Sequence, residues 1–217
     1  MQAFLDQLWI ARWPLWEGLL LTIGSAAGSI LFGTLLGVIV GIQLAYAPWW
    51  LRLPYRVYVD VMRGTPVLVL ILAAYYIPAV AGLSLGPTQA GILALTLFAG
   101  AHIGELVRGS LQAIPPGQAE AGRSIGLTFP QLLAYVLLPQ AVRSALPPWI
   151  NTGVELIKGS SLLSIIGVGE LLLKTQEVIG RNFMTIQFYV FAGILYLAIN
   201  IVLDQLGKTV ERRVGQH

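Results

Sequence analysis

The chain has 217 residues, of which 56% are hydrophobic and 11% are charged, and its formal net charge is +3. Soluble domains carry about 25% charged residues, so this composition excludes a water-soluble globule and predicts a membrane protein. The small net charge gives no reason to expect nucleic-acid binding, and the absence of cysteine excludes disulfides and thiolate metal sites.

The first membrane helix is predicted at about 15–45. The chain carries no charge from 18 to 51, and about 20 apolar residues suffice to cross a bilayer, so this helix is long or tilted. The mildly amphipathic segment before it, 1–17, contains tryptophans, whose amphipathic rings suit the boundary between lipid and water. We therefore expect this segment to lie at a membrane interface.

A ridge of small residues runs along the first predicted helix. Glycines recur at a spacing of four, at Gly33, Gly37 and Gly41. Such a ridge lets the backbone of another helix approach closely. A helix of the same chain and a helix of a second subunit fit this ridge about equally well.

The charged segment 48–63 interrupts the apolar pattern and predicts an amphipathic piece at the membrane interface. The uncharged run 64–104 is long enough for two spans, and the prolines and glycines within 78–87 mark the turn between them. A later segment, 159–181, is too polar for a clean span. The further membrane helices are predicted at about 65–80, 87–111, 130–157 and 182–207.

A polar stretch at 114–126 separates the third and fourth predicted spans. Proline is tolerated in the first turn of a helix, so Pro115 and Pro116 can open a short helix, and Gly126 can end it. We predict this helix at about 118–126, across the membrane surface. The whole chain, 1–217, is then one all-α polytopic membrane domain with about five transmembrane helices and a short surface helix.

Basic residues indicate the orientation. Five spans place the two termini on opposite sides, and the loops on the side of the C-terminal tail hold about twice as many basic residues as the other side, which favours a cytoplasmic C-terminus and an outer N-terminus. The polar stretch then faces the cytoplasm and can dock a partner there. Alternatively, Glu120 merely favours the helix macrodipole. The basic residues on the tail's side are Arg52, Arg56, Arg63, Arg108, Arg123, Lys208, Arg212 and Arg213.

Several short motifs occur in a fixed order. They are RGTP at 63–66, ELVRG at 105–109, IPPGQ at 114–118, EAG at 120–122 followed by Gly126 and VLLP at 136–139, LPQAVR at 138–143 and KGSSL at 158–162. Together they resemble the polar amino-acid uptake branch of the ABC importer permeases, with its "EAA" loop. The chain departs from the pattern at Gly122, where the second alanine stands, at Gly159, where an acidic residue stands, and at His102, where tyrosine is usual.

The resemblance implies a non-catalytic subunit of an importer in the bacterial cytoplasmic membrane. It implies a second permease chain, identical or related, a cytoplasmic P-loop ATPase under each permease, an extracytoplasmic substrate-binding protein and an amino-acid substrate. ATP and Mg²⁺ belong to the ATPase, since this chain lacks GxxxxGK[ST], and no cofactor is expected on the chain itself. The coupling residues implied are Gln118, Glu120, Ala121, Gly122 and Gly126, with Glu120 paired to a basic group of the ATPase.

Charged residues at membrane depth are usually paired or functional. Glu105 and Arg108 are three apart, so an intrahelical ion pair that Arg143 can join is favoured over a gate role. Glu155 and Lys158 are also three apart, and a self-satisfied pair is again the simpler interpretation. The alternative is that Glu155 faces the cavity and binds the ammonium group of the substrate.

Other polar residues are candidates for the substrate path. His102 is better explained as a hydrogen-bonded core histidine than as a ligand, although a position in the cavity is an alternative. Asn151 and Thr152 can line the path on the fourth helix, together with Lys158, Ser160 and Ser161. The short apolar segment 160–169 is either an outer gate or re-entrant piece, or an ordinary interfacial loop.

Three other functions are alternatives to the amino-acid importer. A permease for another small polar solute is the closest alternative. A secondary transporter is expected to show repeated halves, and none is apparent in the sequence. A membrane enzyme needs a catalytic or metal constellation, and the sequence has only two histidines, His102 and His217, so no catalytic or metal-binding residue is predicted.

Overall fold

The computed structural model describes residues 2–214, so Met1 and the last three residues, His217 among them, lie outside it. The described part consists of helices joined by short turns and contains no strand, which confirms the all-α fold. Its helices are α1 (Gln2–Tyr46), α2 (Trp49–Gly64), α3 (Val67–Val80), α4 (Pro87–Gln112), α5 (Pro116–Ser124), α6 (Phe129–Leu132), α7 (Leu138–Ser160), α8 (Leu171–Asn182) and α9 (Thr185–Val214). A π-helical turn, Leu133–Leu137, joins α6 to α7, and a 3₁₀ helix, Ser161–Ile166, follows α7.

Between three and five segments are long and apolar enough to cross a membrane. Three are single helices, α1, α4 and the Thr185–Val210 part of α9. Two more result if each bent pair is one broken span. In these pairs, α2 and α3 meet at an angle of 113°, and the continuous segment Phe129–Ile166 meets α8 at 51°. The predicted count of about five is reached when both bent pairs are counted as spans.

Helix α1 begins at Gln2 and not near residue 15, so the segment 1–17 is not a separate interfacial piece. The N-terminal part of this helix is held by tertiary contacts, which hydrophobic periodicity cannot reveal. Ala11 and Leu15 are buried in a cluster with Leu171 of α8 and Phe188 of α9. Burial of this apolar surface extends the helix through Pro14, which lies in its interior.

The glycine ridge of α1 packs on α4 of the same chain. A Cβ atom added at Gly37 would lie 2.7 Å from the Cβ of Ile103, and one at Gly41 would lie 2.6 Å from the Cβ of Val107. Both distances are too short for real carbon atoms, so only glycine allows this approach. The sequence allowed either a helix of the same chain or a helix of a second subunit to pack on this ridge. In the structure, the partner is α4 of the same chain.

The segment 159–181 forms more regular structure than its composition predicts. Helix α7 continues to Ser160, the 3₁₀ helix follows, and α8 begins at Leu171. Leu163, Ile166 and Val168 are buried in the main core, so this piece is packed inside the protein and is not an ordinary surface loop. The last helix, α9, starts at Thr185 and continues to Val214, beyond the predicted end at 207.

Candidate functional site

Helix α5 is closed at its end by a glycine turn. The amide of Gly126 donates to the carbonyl of Arg123 at 2.9 Å, and the amide of Leu127 donates to the carbonyl of Gly122 at 3.1 Å. Gly126 has φ +83°. These two bonds and the left-handed residue form a Schellman motif, which satisfies carbonyls left free at a helix end. The helix therefore ends at Ser124, two residues before the predicted position.

Gly122 within α5 and Gly126 just after it serve different purposes. Gly122 is buried, and a Cβ atom there would lie 2.5 Å from Cδ1 of Leu132 in α6. The small residue therefore packs against the chain itself. Nothing lies within 4 Å of a Cβ atom built at Gly126, so its requirement for glycine comes from the backbone angle, which L-residues adopt at a cost.

Apart from Gly122 and the half-buried Ala119, α5 is exposed. Gln118, Glu120 and Ala121 all lie at the surface, and the adjacent Ile125 is 77% exposed. Within residues 2–214, the Glu120 carboxylate forms no salt bridge. Since α5 starts at Pro116, Glu120 lies beyond the first turn, where the macrodipole effect is already weak. The carboxylate is thus free to contact a partner.

Helix α5 is also joined to α7. The side-chain amide of Gln140 donates to the carbonyl of Val136 at 2.8 Å, within the π-helical turn, and lies 3.4 Å from Oε1 of Gln118. A π turn widens the helix and leaves backbone groups without their usual partners. Gln140 satisfies one of these groups and links the turn to α5.

Helix α7 has an exposed polar face. Ser144, Asn151, Glu155 and Lys158 are all exposed, and at 3.6 residues per turn they share one side of the helix. Charged groups in hydrocarbon are costly, so such a face lies against protein or a water-filled cavity. This face of α7 is therefore a candidate lining of a path.

The sequence matches one protein family over most of its length. The family is described as the binding-protein-dependent transport system inner membrane component, and residues 33–216 match it. The chain belongs to this family. The permease family predicted from the ordered motifs is thereby confirmed.

Named relatives cover nearly the whole permease. The L-cystine transport system permease protein TcyB of Bacillus subtilis is 36% identical, over 94% of this chain and 88% of its own. The glutamine transport system permease protein GlnP of Escherichia coli is 32% identical, over 95% and 97%. The crystal structure of an amino acid ABC transporter with histidines superposes with a TM-score of 0.86 at 27% identity, covering 95% of this chain and 97% of that chain.

The ion pair predicted between Glu155 and Lys158 of the permease is wrong. Both side chains are exposed, and no salt bridge within 4 Å joins them in the described part of the chain. A spacing of three allows such a pair on a helix, but a solvated pair gains little free energy. Both charges therefore remain exposed on the polar face of α7.

The hydroxyl groups predicted on the path are mostly satisfied within α7. Thr152 and Ser160 are buried and donate to the carbonyls of Pro148 at 3.0 Å and Ile157 at 2.7 Å. Ser161 donates to the carbonyl of Lys158 at 2.7 Å. The structure thus groups Asn151, Glu155 and Lys158 on the exposed face and turns the side chains of Thr152 and Ser160 into the core.

His102 of the permease lies on α4 and already has a polar partner. Its Nδ1 atom is 3.0 Å from the carbonyl oxygen of Phe98, and its ring centroid is 4.2 Å from that of Phe98. This arrangement fits the hydrogen-bonded core histidine better than a ligand. Among residues 2–214, no group of three or more His, Asp or Glu side chains is arranged to hold a metal ion.

The pair predicted between Glu105 and Arg108 is present, with an Nη2–Oε2 distance of 2.6 Å. Arg143 does not join it within the described residues. Instead, α2 supplies Arg56 at 2.8 Å and Arg63 at 3.9 Å. The sequence offered no signal for these two contacts, because they join positions far apart in the chain.

Glu170 is a buried acid that the sequence analysis did not identify. It is 0% exposed, and it caps α8. Its carboxylate accepts hydrogen bonds from the backbone amides of Leu172 at 3.0 Å and Leu173 at 2.8 Å. Tyr196 of α9 donates its hydroxyl to Oε2 at 2.6 Å, and Thr22 of α1 lies at 3.5 Å. Every contact is a hydrogen bond to the carboxylate, so Glu170 anchors three helices. In the sequence, the signal that could have identified Glu170 was its position as a lone acid between two apolar segments.

Proposed function

We propose that this permease is the membrane-spanning subunit of an ATP-driven importer for amino acids and that α5 couples it to a cytoplasmic P-loop ATPase. The observation that carries the proposal is the shape of α5, a short helix closed by a glycine turn, with Gly122 packed on the chain and most other residues exposed. The relatives named for L-cystine and glutamine transport support an amino acid as the substrate.

The coupling contact is made by the exposed face of α5. Gln118, Glu120 and Ala121 lie on the side open to a partner. Gly122 lets α5 sit close to α6, and Gly126 turns the chain away from the partner. Glu120 forms an ion pair with a basic group of the ATPase, because an exposed carboxylate with no partner of its own suits that role.

The substrate path is lined by the polar face of α7 and closed by a second permease chain, identical or related. Asn151, Glu155 and Lys158 face this path. A free amino acid carries an ammonium and a carboxylate group, so opposite charges one helical turn apart suit both ends of it. Glu155 binds the ammonium group. Thr152, Ser160, Ser161 and His102 support the path without contacting the solute.

The chain lies in the bacterial cytoplasmic membrane with the N-terminus outside and the C-terminus in the cytoplasm. Arg52, Arg56, Arg63, Arg108 and Arg123 then lie on the inner side, in agreement with the bias of basic residues towards cytoplasmic loops. A substrate-binding protein delivers the amino acid to the outer face. ATP and Mg²⁺ bind to the ATPase, and this chain holds no cofactor of its own.

The proposal is tested by purifying the permease from detergent-solubilised native membranes. A P-loop ATPase should co-purify with the natural chain and be lost with Glu120→Lys. The matched control is Glu17→Lys, the same reversal at an exposed acid placed on the outer side, and it should retain the ATPase. If no ATPase accompanies any of the three chains, the proposal fails, and a stand-alone transporter is the better explanation.

The substrate is tested separately from the coupling. Uptake of radiolabelled L-amino acids into vesicles that contain the whole complex should saturate and require ATP. A permease for another small polar solute would leave these amino acids outside while retaining the ATPase. That result would support the importer function and contradict only the proposal that an amino acid is its substrate.

A further inference from the structure

Glu105 of α4 holds three guanidinium groups at once. Its side chain is only 12% exposed, and it contacts Arg56 at 2.8 Å, Arg108 at 2.6 Å and Arg63 at 3.9 Å. Each oxygen has a different principal partner, since Oε1 accepts from Arg56 and Oε2 accepts twice from Arg108. One carboxylate thus keeps three like charges close together.

Two of these arginines belong to the broken span. Helix α2 packs by Val59, which is buried with Val40 of α1 and Ala101 of α4, and the hydroxyl of Tyr58 donates to the carbonyl of Leu97 at 2.6 Å. Arg63 lies in the last turn of α2, directly before the 113° bend into α3. The position of α2 therefore determines where the bend lies relative to α4.

The third arginine leads towards α5. Arg108 also donates to Oε1 of Gln112, the last residue of α4, at 2.6 Å. Pro116, the first residue of α5, follows after a short turn. Glu105 thus connects the broken span on one side with the end of α4 that carries α5 on the other.

We propose that Glu105 is a positioning residue that fastens α2 to α4 and transmits the movement of α5 to the broken span α2–α3. The proposal rests on the coupling role given to α5 above. Without the carboxylate, three guanidinium groups repel one another, because the other acid paired with this cluster in the described part of the chain, Asp60, is exposed and contacts Arg56 alone of the three, at 3.3 Å. Helix α2 then separates from α4, and the ATPase cycle no longer moves the bend.

The test compares Glu105→Gln with the natural chain in vesicles containing the whole complex with its ATPase. Both ATP hydrolysis and uptake of radiolabelled L-amino acids are measured. We expect ATP hydrolysis to persist and the amount of solute moved per ATP to fall about tenfold, which is within the range by which single residues change the coupling between two sites. Asp60→Asn is the matched control, since it removes an exposed acid of the same cluster, and its ratio should stay within about twofold.

Arg56→Gln is a second variant, chosen because its side chain is half exposed and its loss should not prevent folding. The amount of solute moved per ATP should fall less in Arg56→Gln than in Glu105→Gln. The double variant should recover part of the loss, since it removes one of the repelling charges. Glu105→Asp, which keeps the charge but shortens the side chain, should lie between the natural chain and Glu105→Gln.

Two results would overturn the proposal. One is an unchanged ratio of solute to ATP in both Glu105→Gln and Arg56→Gln. The other is loss of the ATPase from Glu105→Gln during purification, which would assign the residue to assembly and not to transmission. Neither result depends on the Glu120→Lys experiment. If the proposal for Glu105 fails, the coupling role of α5 therefore still stands. A failure of α5 to dock the ATPase would be seen in the Glu120→Lys purification instead.

Discussion

Single residues decide the shape of the coupling segment. Gly122 leaves room for the Leu132 side chain, whose Cδ1 would lie 2.5 Å from an added Cβ atom. Gly126 is needed for its backbone angle, with φ +83°. Glu120 contributes an exposed charge that forms no salt bridge with the side chains that the structure describes. The same short motif thus combines two structural requirements with one group left for a partner.

Replacing Gly126 by alanine should weaken the end of α5. An L-residue in the left-handed region costs about 1–2 kcal/mol, and Gly126 adopts that region. We expect the amount of co-purified ATPase to fall several-fold under limiting conditions. Gly117→Ala is the control, because Gly117 has a negative φ and open space around it. Equal ATPase recovery from both variants would contradict a role for the turn.

At the scale of the element, the contact between α1 and α4 organises the membrane core. The ridge of small residues brings two backbones together, and dispersion contacts replace a hydrophobic driving force that is weak between helices in lipid. The broken span α2–α3 and the helix α7 then pack on α4. Because α4 leads directly into the turn before α5, this helix is the common support of the core and the coupling segment.

Gly37→Leu should destabilise the permease. A side chain at Gly37 overlaps the Cβ of Ile103, and overpacking of a close contact costs about 1–3 kcal/mol. The midpoint of thermal unfolding in detergent should fall by several degrees. Gly24→Leu is the control, since Gly24 is exposed and has nothing within 4 Å of a built Cβ atom. If the two variants unfold at the same temperature, the ridge does not provide the contact.

At the scale of the whole molecule, one chain leaves polar surface that a membrane cannot accommodate. The exposed face of α7 carries Asn151, Glu155 and Lys158, and hydrocarbon does not solvate these groups. Helix α1 has 45 residues, about 68 Å at 1.5 Å per residue, so it must tilt or project beyond a hydrocarbon core of about 30 Å. The exposed Trp9, Trp13 and Trp16 suit a membrane interface.

Glu155→Gln tests whether the α7 face meets the substrate. Loss of a charge-assisted hydrogen bond to an ammonium group costs about 1.5–3 kcal/mol, so the apparent KM for uptake should rise about tenfold or more. The ATPase should still co-purify. Glu177→Gln on α8, at the surface, is the matched control and should leave KM unchanged. Unchanged uptake kinetics in Glu155→Gln would exclude Glu155 from the path.

Much of this permease follows from its sequence because the decisive features are local. Composition shows a membrane protein, and ordered motifs show the family. Uncharged runs locate the spans to within a few residues at α3 and α4. The glycine turn after α5 and the Glu105–Arg108 pair join near neighbours along the chain, so their spacing allowed both to be predicted, although the same spacing at Glu155 and Lys158 gives no pair.

Other features depended on contacts between distant segments. Arg56 joins Glu105, Thr22 and Tyr196 meet Glu170, and the start of α1 is extended by packing on α8 and α9. The absence of a Glu155–Lys158 pair belongs here too, because the direction of each side chain depends on the surface around the helix. Hydrophobic periodicity and capping act within one or two turns, so the sequence alone determined the family, most of the helix positions and the glycine turn after α5. Only the tertiary structure decided which buried charges meet, since that depends on how tightly the helices pack.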